Sequence, residues 1–172
     1  MFDIDILTIC IAIVLLVTFA VPFYINHLKV KKEKQKSENQ LDKLIKAAGL
    51  RINTSQQWRR RYFIGLDDTH GKLVYIRDLQ NPEPLILDLH GIKKVKAIEI
   101  SSSRGTGKNS RKIIDELYIE LFSHRGEQVA TLEFYHGDIF SDLVGEPVIL
   151  REWEHYISAS LKINQEKKEI IV

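Results

Sequence analysis

Arg104-Gly105-Thr106-Gly107-Lys108 is the stretch that comes nearest to spelling out a chemistry, the cradling of a phosphate by a glycine loop. Such a loop needs Gly five residues before the Gly-Lys pair and Ser or Thr directly after it. Ser102 and Asn109 occupy those positions, and the flanking apolar runs read as strands, with no helix beginning at Lys108. The segment is therefore expected as a solvated hairpin loop. Its Arg104, Lys108, Arg111 and Lys112 are the candidate contacts for an anionic lipid or a phosphate-bearing partner.

Six histidines raise the question of a metal. His27, His70, His90, His124, His136 and His155 show no HxxxH, HxH or HExxH spacing, so no metal ligand and no cofactor is expected. Asp67, Asp68 and His70 have the residue types of an acid–base pair, yet Asp and Gly in Asp67-Asp68-Thr69-His70-Gly71 follow from turn geometry alone. No nucleophile motif of the GxSxG kind occurs, so no catalytic site is expected.

The elements that would position these residues begin with 6–25, ILTICIAIVLLVTFAVPFYI, an uncharged run with one Pro near its end. A helix of about 20 apolar residues matches the thickness of a bilayer core, so the run is expected to span a membrane. No Lys or Arg precedes Lys29, as a cleaved signal peptide would require. Lys29, Lys31, Lys32, Lys34 and Lys36 follow the run directly and serve as its topology signal. By the positive-inside rule they place the N-terminus outside and the rest of the chain in the cytoplasm of a cell with an inner membrane. The lipid bilayer is then a partner through residues 6–25.

The totals agree with that division. The chain has 172 residues and a formal net charge of +2, an excess too small to imply a nucleic-acid partner. Its single cysteine, Cys10, forbids an intrachain disulfide and fits a reducing cytosol.

After the lysines, Ser37-Glu38-Asn39-Gln40 has the form of a capping box, and Leu41, Leu44, Ile45 and Ala48 make one apolar face of a short helix ending at Gly49. Residues 51–57 are polar and read as a linker. From Trp58 onward the texture is short strands: 61–66, 72–76, 85–89, 93–101, 117–122 and 128–135, with 137–146 irregular and open to a further short strand. Pro147 opens a final helix to about Ile163, with Ile149, Trp153, Tyr156, Ile157 and Leu161 at helical spacing. The expected divisions are 1–5 outside the membrane, 6–25 in it, 26–57 juxtamembrane, 58–163 one strand-rich domain, and 164–172 a frayed tail. The fold class is α+β, an antiparallel bent sheet or partial barrel of six to seven strands capped by a C-terminal helix.

This order resembles the pleckstrin-homology-like (PH-like) fold, and with the N-terminal run it resembles the bacterial membrane-anchored proteins that carry such a domain. The resemblance covers Trp58 to about Leu161 and rests on the opening hairpin WRRRYFIGLDDTHGKLVYI, on LDLHGIKKVKAIEI, and on the closing EPVILREWEHYI. It implies binding, of lipid head groups or peptides, and no catalysis. Arg59, Arg60, Arg61 and Lys72 flank the first hairpin, but its turn carries Asp67 and Asp68, a departure from the phosphoinositide-binding members. The expected role is an interaction module holding a protein partner or a second copy, with an anion sensor built on residues 104–112 as the alternative.

Overall fold

The computed structural model describes the backbone of residues 6–104 and 111–170, with side chains throughout except 6–8, 10–14, 33, 34, 37 and 164–170. Lys108, the side chain of Lys34 and the segment 1–5 thus lie outside the described residues. The chain divides into two compact units, Met1–Lys43 and Leu44–Val172.

The first unit is helical. A single helix, α1, runs over Ile6–Ala47, where a separate span and a short second helix were expected. Nothing between Pro22 and Gly49 interrupts it: the intervening Lys, Glu and Gln are good helix formers, so 26–40 continues the helix. It ends where Gly49 adopts φ 64 and Leu50 N–H donates to Ile45 O at 3.1 Å.

Among the described residues no helix is long and apolar enough to cross a membrane. This corrects the membrane-spanning assignment of 6–25 and the single-pass inner-membrane placement with the N-terminus outside. Lys29, Lys31, Lys32 and Lys36 are exposed positions on this helix.

The second unit holds two antiparallel sheets and a helix. Strands β1 (Thr54–Trp58), β2 (Tyr62–Asp67), β3 (Lys72–Ile76) and β4 (Leu85–Asp88) form one sheet in chain order. A single 3-10 turn, Leu89–Gly91, leads into the second sheet, β5 (Ile92–Arg104), β6 (Arg111–Ser123) and β7 (Gln128–His136). Helix α2 (Glu146–Ile170) follows and runs past the point where a frayed tail was expected.

The bent sheet or partial barrel expected from sequence is corrected to two separate sheets without closure. Closure would need backbone pairing along the free edge of β7, and side chains occupy part of that edge instead. Tyr75 Oη donates to Glu133 O at 2.6 Å and Trp58 Nε1 donates to Phe134 O at 2.9 Å. These bonds satisfy the carbonyls that a closing strand would have taken. The strand in addition to the six located from sequence is β1, in the polar stretch read as a linker, and 137–146 contains no strand.

The core lies between the sheets and α2. Ile64, Leu73, Leu117, Ile119, Leu121, Leu132, Phe134 and Trp153 are all fully enclosed in one cluster. Trp153 reaches out of α2 to donate from Nε1 to Gln56 Oε1 at 2.7 Å, which satisfies its polar atom while its ring is buried.

The turn joining β1 to β2 is unusual. Arg59 and Arg60 both adopt left-handed backbone, φ 53 and 52, without being glycine. Each such residue costs about 1–2 kcal/mol. Arg59 offsets this through its contacts with the loop before α2, whereas Arg60 is exposed and makes no hydrogen bond or ion pair among the described residues. Arg60→Gly is therefore expected to stabilise the fold by about 0.5–1 kcal/mol, after about 0.4–1 kcal/mol is returned to the freer unfolded chain. A rise in the urea midpoint at constant m-value checks this.

Candidate functional site

Side chains alternate along β5, β6 and β7, and the two faces of their sheet have different fates. Leu117, Ile119 and Leu121 of β6 point to the core, as do Leu132 and Phe134 of β7. Val95 and Ala97 of β5 pack on the same cluster, where α2 covers them with Leu150, Trp153, Ile157 and Leu161. The opposite face carries Lys94, Lys96, Ile98 and Ile100 from β5, and Glu116, Tyr118, Glu120 and Phe122 from β6.

These outer residues face each other in register: Lys94 opposite Phe122, Lys96 opposite Glu120, Ile98 opposite Tyr118, and Ile100 opposite Glu116. Toward β7 the face hollows into a cavity of about 280 Å³ lined by Glu116, Tyr118, Glu120, Gln128, Thr131, Glu133 and Tyr135. Desolvation raises the Tyr118 pKa, and the charges of Glu120 and Glu116 raise it further, so the hydroxyl stays protonated and able to donate. Neither Lys96 nor Glu120 is held in an ion pair among the described residues.

Glu133 at the rim is already engaged. It accepts from Tyr62 Oη at 2.6 Å and pairs with Arg77 at 2.7 Å. Burial raises the pKa of Tyr62, and the hydrogen bond and charge of Glu133 push in the same direction. Glu133 thus serves as a junction between the two sheets, while Glu120 remains available for an incoming group and Glu116 stands beside His136.

The sheet edges are partly closed to a pairing strand. Glu154 of α2 accepts from the Ala97 N–H at 2.8 Å, on the free side of β5. Tyr75 and Trp58 take the two β7 carbonyls named above. The open surface of this sheet is accordingly its outer face more than its edges.

The basic residues singled out from sequence sit at the far end of the same sheet. Arg104 stands directly opposite Arg111 in the last described rung, and Ser103 stands opposite Lys112. Lys112 pairs with Glu99 at 2.6 Å. Lys108 lies outside the described residues, so three of the four are placed, two of them as a like-charge pair across the strands.

Asp67 turns out to be structural. It is fully buried and accepts from the N–H groups of Arg51, Thr69 and His70 and from the His70 ring. Among the described residues no group of three or more His, Cys, Asp or Glu is arranged to hold a metal ion. His90 pairs with Asp88 at 2.7 Å in the 3-10 turn, and His136 stands 3.8 Å from Glu116 at the rim of the outer face.

No motif marks the outer face. Its signal in the sequence is the period-two alternation of Glu116, Tyr118, Glu120 and Phe122 against Leu117, Ile119 and Leu121, which reveals a two-faced strand but not which face stays uncovered. No family model matches this chain, and neither the curated proteins nor the solved structures provide a match.

Proposed function

We propose that this chain is an interaction module without chemistry of its own, and that the outer face of the β5–β6–β7 sheet receives a protein partner. The observation that carries this is the composition of that face. A solvated sheet face is ordinarily polar, yet this one presents Ile100 at 42 % exposure and, opposite Ser102 beyond a register shift between β5 and β6, Ile113 at 37 %, with Ile98, Tyr118 and Phe122 half-buried among charges. Mixed aromatic, aliphatic and charged groups around a hollow are the make-up of a docking surface. The resemblance to PH-like proteins, which rests on element order, supports binding in the same way.

Photo-crosslinking in cells tests it. A benzophenone residue at position 118 is expected to give protein adducts that the same group at exposed Glu83 does not give. Equal or absent adducts at both positions would remove the outer face as the docking surface.

A second reading is favoured by one feature, the Arg104–Arg111 opposition. Like charges directly across two strands repel, and a phosphate between them would relieve that. Under this reading the chain binds polyphosphate in a salt-sensitive way, and Arg104→Ser with Arg111→Ser abolishes the binding. Binding that survives both changes excludes it.

A further inference from the structure

We infer that the partner received by the outer face is a second copy of this chain, docked face to face across a two-fold axis. This rests on the interaction-module reading and specifies its occupant.

The pattern of the face is self-complementary. Residues in register lie at the same height along the strands, with the β5 row on one side and the β6 row on the other. A two-fold axis parallel to the strands, above the line between β5 and β6, lays the β5 row of one copy over the β6 row of its partner. Lys96 then meets Glu120, Ile98 meets Tyr118, and Lys94 meets the ring of Phe122. Each contact occurs twice, as a closed isologous interface requires.

The chemistry of these three contacts is favourable, while the same operation lays Ile100 over Glu116 and, at the far end of the sheet, Arg104 over Arg111. Lys96 and Glu120 are opposite charges, each without an ion-pair partner among the described residues. Ile98 and Tyr118 are half-buried apolar groups that a facing sheet about 10 Å away would cover. Lys94 over Phe122 is a cation placed on an aromatic face. The alternative arrangement, an axis perpendicular to the sheet, would set side by side edges that Glu154, Tyr75 and Trp58 already occupy in part.

The purified full-length chain is expected to sediment as a dimer that weakens with salt. Lys96→Glu places glutamates opposite Glu120 of its copy, and Glu120→Lys places lysines opposite Lys96; each variant alone is expected to sediment as a monomer. An equimolar mixture of the two restores both pairs in trans and is expected to recover the dimer. Both positions are outside the core, so each variant is expected to fold, and circular dichroism checks this. In a mixture of isotopically light and heavy chains, benzophenone at position 118 is expected to crosslink to the peptide bearing Ile98 of the other copy.

Three results overturn the proposal: a monomeric wild-type chain, a dimer that persists in both single variants, or folded variants whose mixture stays monomeric. A chain that is monomeric when purified but still forms adducts from position 118 with another protein in cells removes the second copy and leaves the interaction module. Absence of both removes both.

Discussion

Arg59→Ala is expected to cost about 3–5 kcal/mol of folding stability, because it leaves a buried carboxylate without its cation. Glu146 is 1 % exposed and Arg59 16 %. Arg59 Nε donates to Glu146 Oε1, and its other nitrogens reach the backbone oxygen and carboxylate of Asp142. The guanidinium also lies 4.8 Å from the centre of the Phe140 ring. Burial pulls the Arg59 pKa down, but the hydrogen bond and charge of Glu146, followed by those of Asp142, outweigh it and leave it raised. One side chain therefore ties the β1–β2 turn to the 137–146 loop and to the start of α2. These contacts also hold Arg59 in its left-handed backbone.

Urea unfolding measures the loss as a lower midpoint at constant slope. Adding Glu146→Gln to Arg59→Ala should recover part of it, since the neutral amide is cheaper to bury than the stranded charge. A loss below about 1 kcal/mol for Arg59→Ala would show that the pair behaves like an ordinary surface bridge.

Asp67→Asn is the second large effect, a loss of about 2–3 kcal/mol. The Asp67 carboxylate is fully buried and receives Arg51 N–H at 2.8 Å and the His70 ring at 2.8 Å on Oδ2. Thr69 N–H and His70 N–H both reach Oδ1 at 3.0 Å. An amide offers one accepting oxygen, so its NH2 must face at least one of these donors.

The pH dependence follows from the same geometry. Burial raises the Asp67 pKa, but the bonds from Arg51 and His70 and the charge of His70 more than reverse this, and the net shift is downward. A depressed folded pKa means that the unfolded chain takes up the proton first. The contribution is complete above the unfolded carboxylate pKa near 3.9 and is lost as pH falls through the lower folded value. Wild-type stability should therefore fall on acidification below about pH 4.5 more steeply than that of Asp67→Asn, whose profile lacks this step. Parallel profiles would mean that the Asp67 proton is not coupled to folding.

Both anchors show where the sequence was legible. Asp67-Asp68-Thr69-His70-Gly71 announces a turn, and the turn is there between β2 and β3. The same letters give no hint that the Asp67 side chain is also the receptor for Arg51, because that bond joins residues sixteen apart. Arg59-Arg60-Arg61 reads as a charge run. Only the fold places Glu146, 87 residues onward, beside the first of the three and leaves the second exposed.

Local periodicity likewise located most of the strands and α2. It could not separate Tyr156, exposed at 42 %, from Trp153 and Ile157, which are fully buried, because all three sit at helical spacing. It missed β1, since TSQQW is polar and pairs only because β2 offers it an edge. The surface proposed for docking had the weakest signal of all. Alternation says that a strand has two faces, and the packing of α2 decides which one remains open.

By itself the sequence determined the local matters: where hydrogen bonding could begin and end, which turns reverse the chain, and that 26–40 lacks a helix breaker. These depend on residues a few positions apart and on short-range sterics. The tertiary structure alone decided that the sheets stay separate, that Arg59 and Glu146 form a buried pair, and that Lys96 and Glu120 share an uncovered face. Those outcomes depend on which distant groups meet, and a linear pattern leaves that undetermined because many pairings satisfy the same alternation.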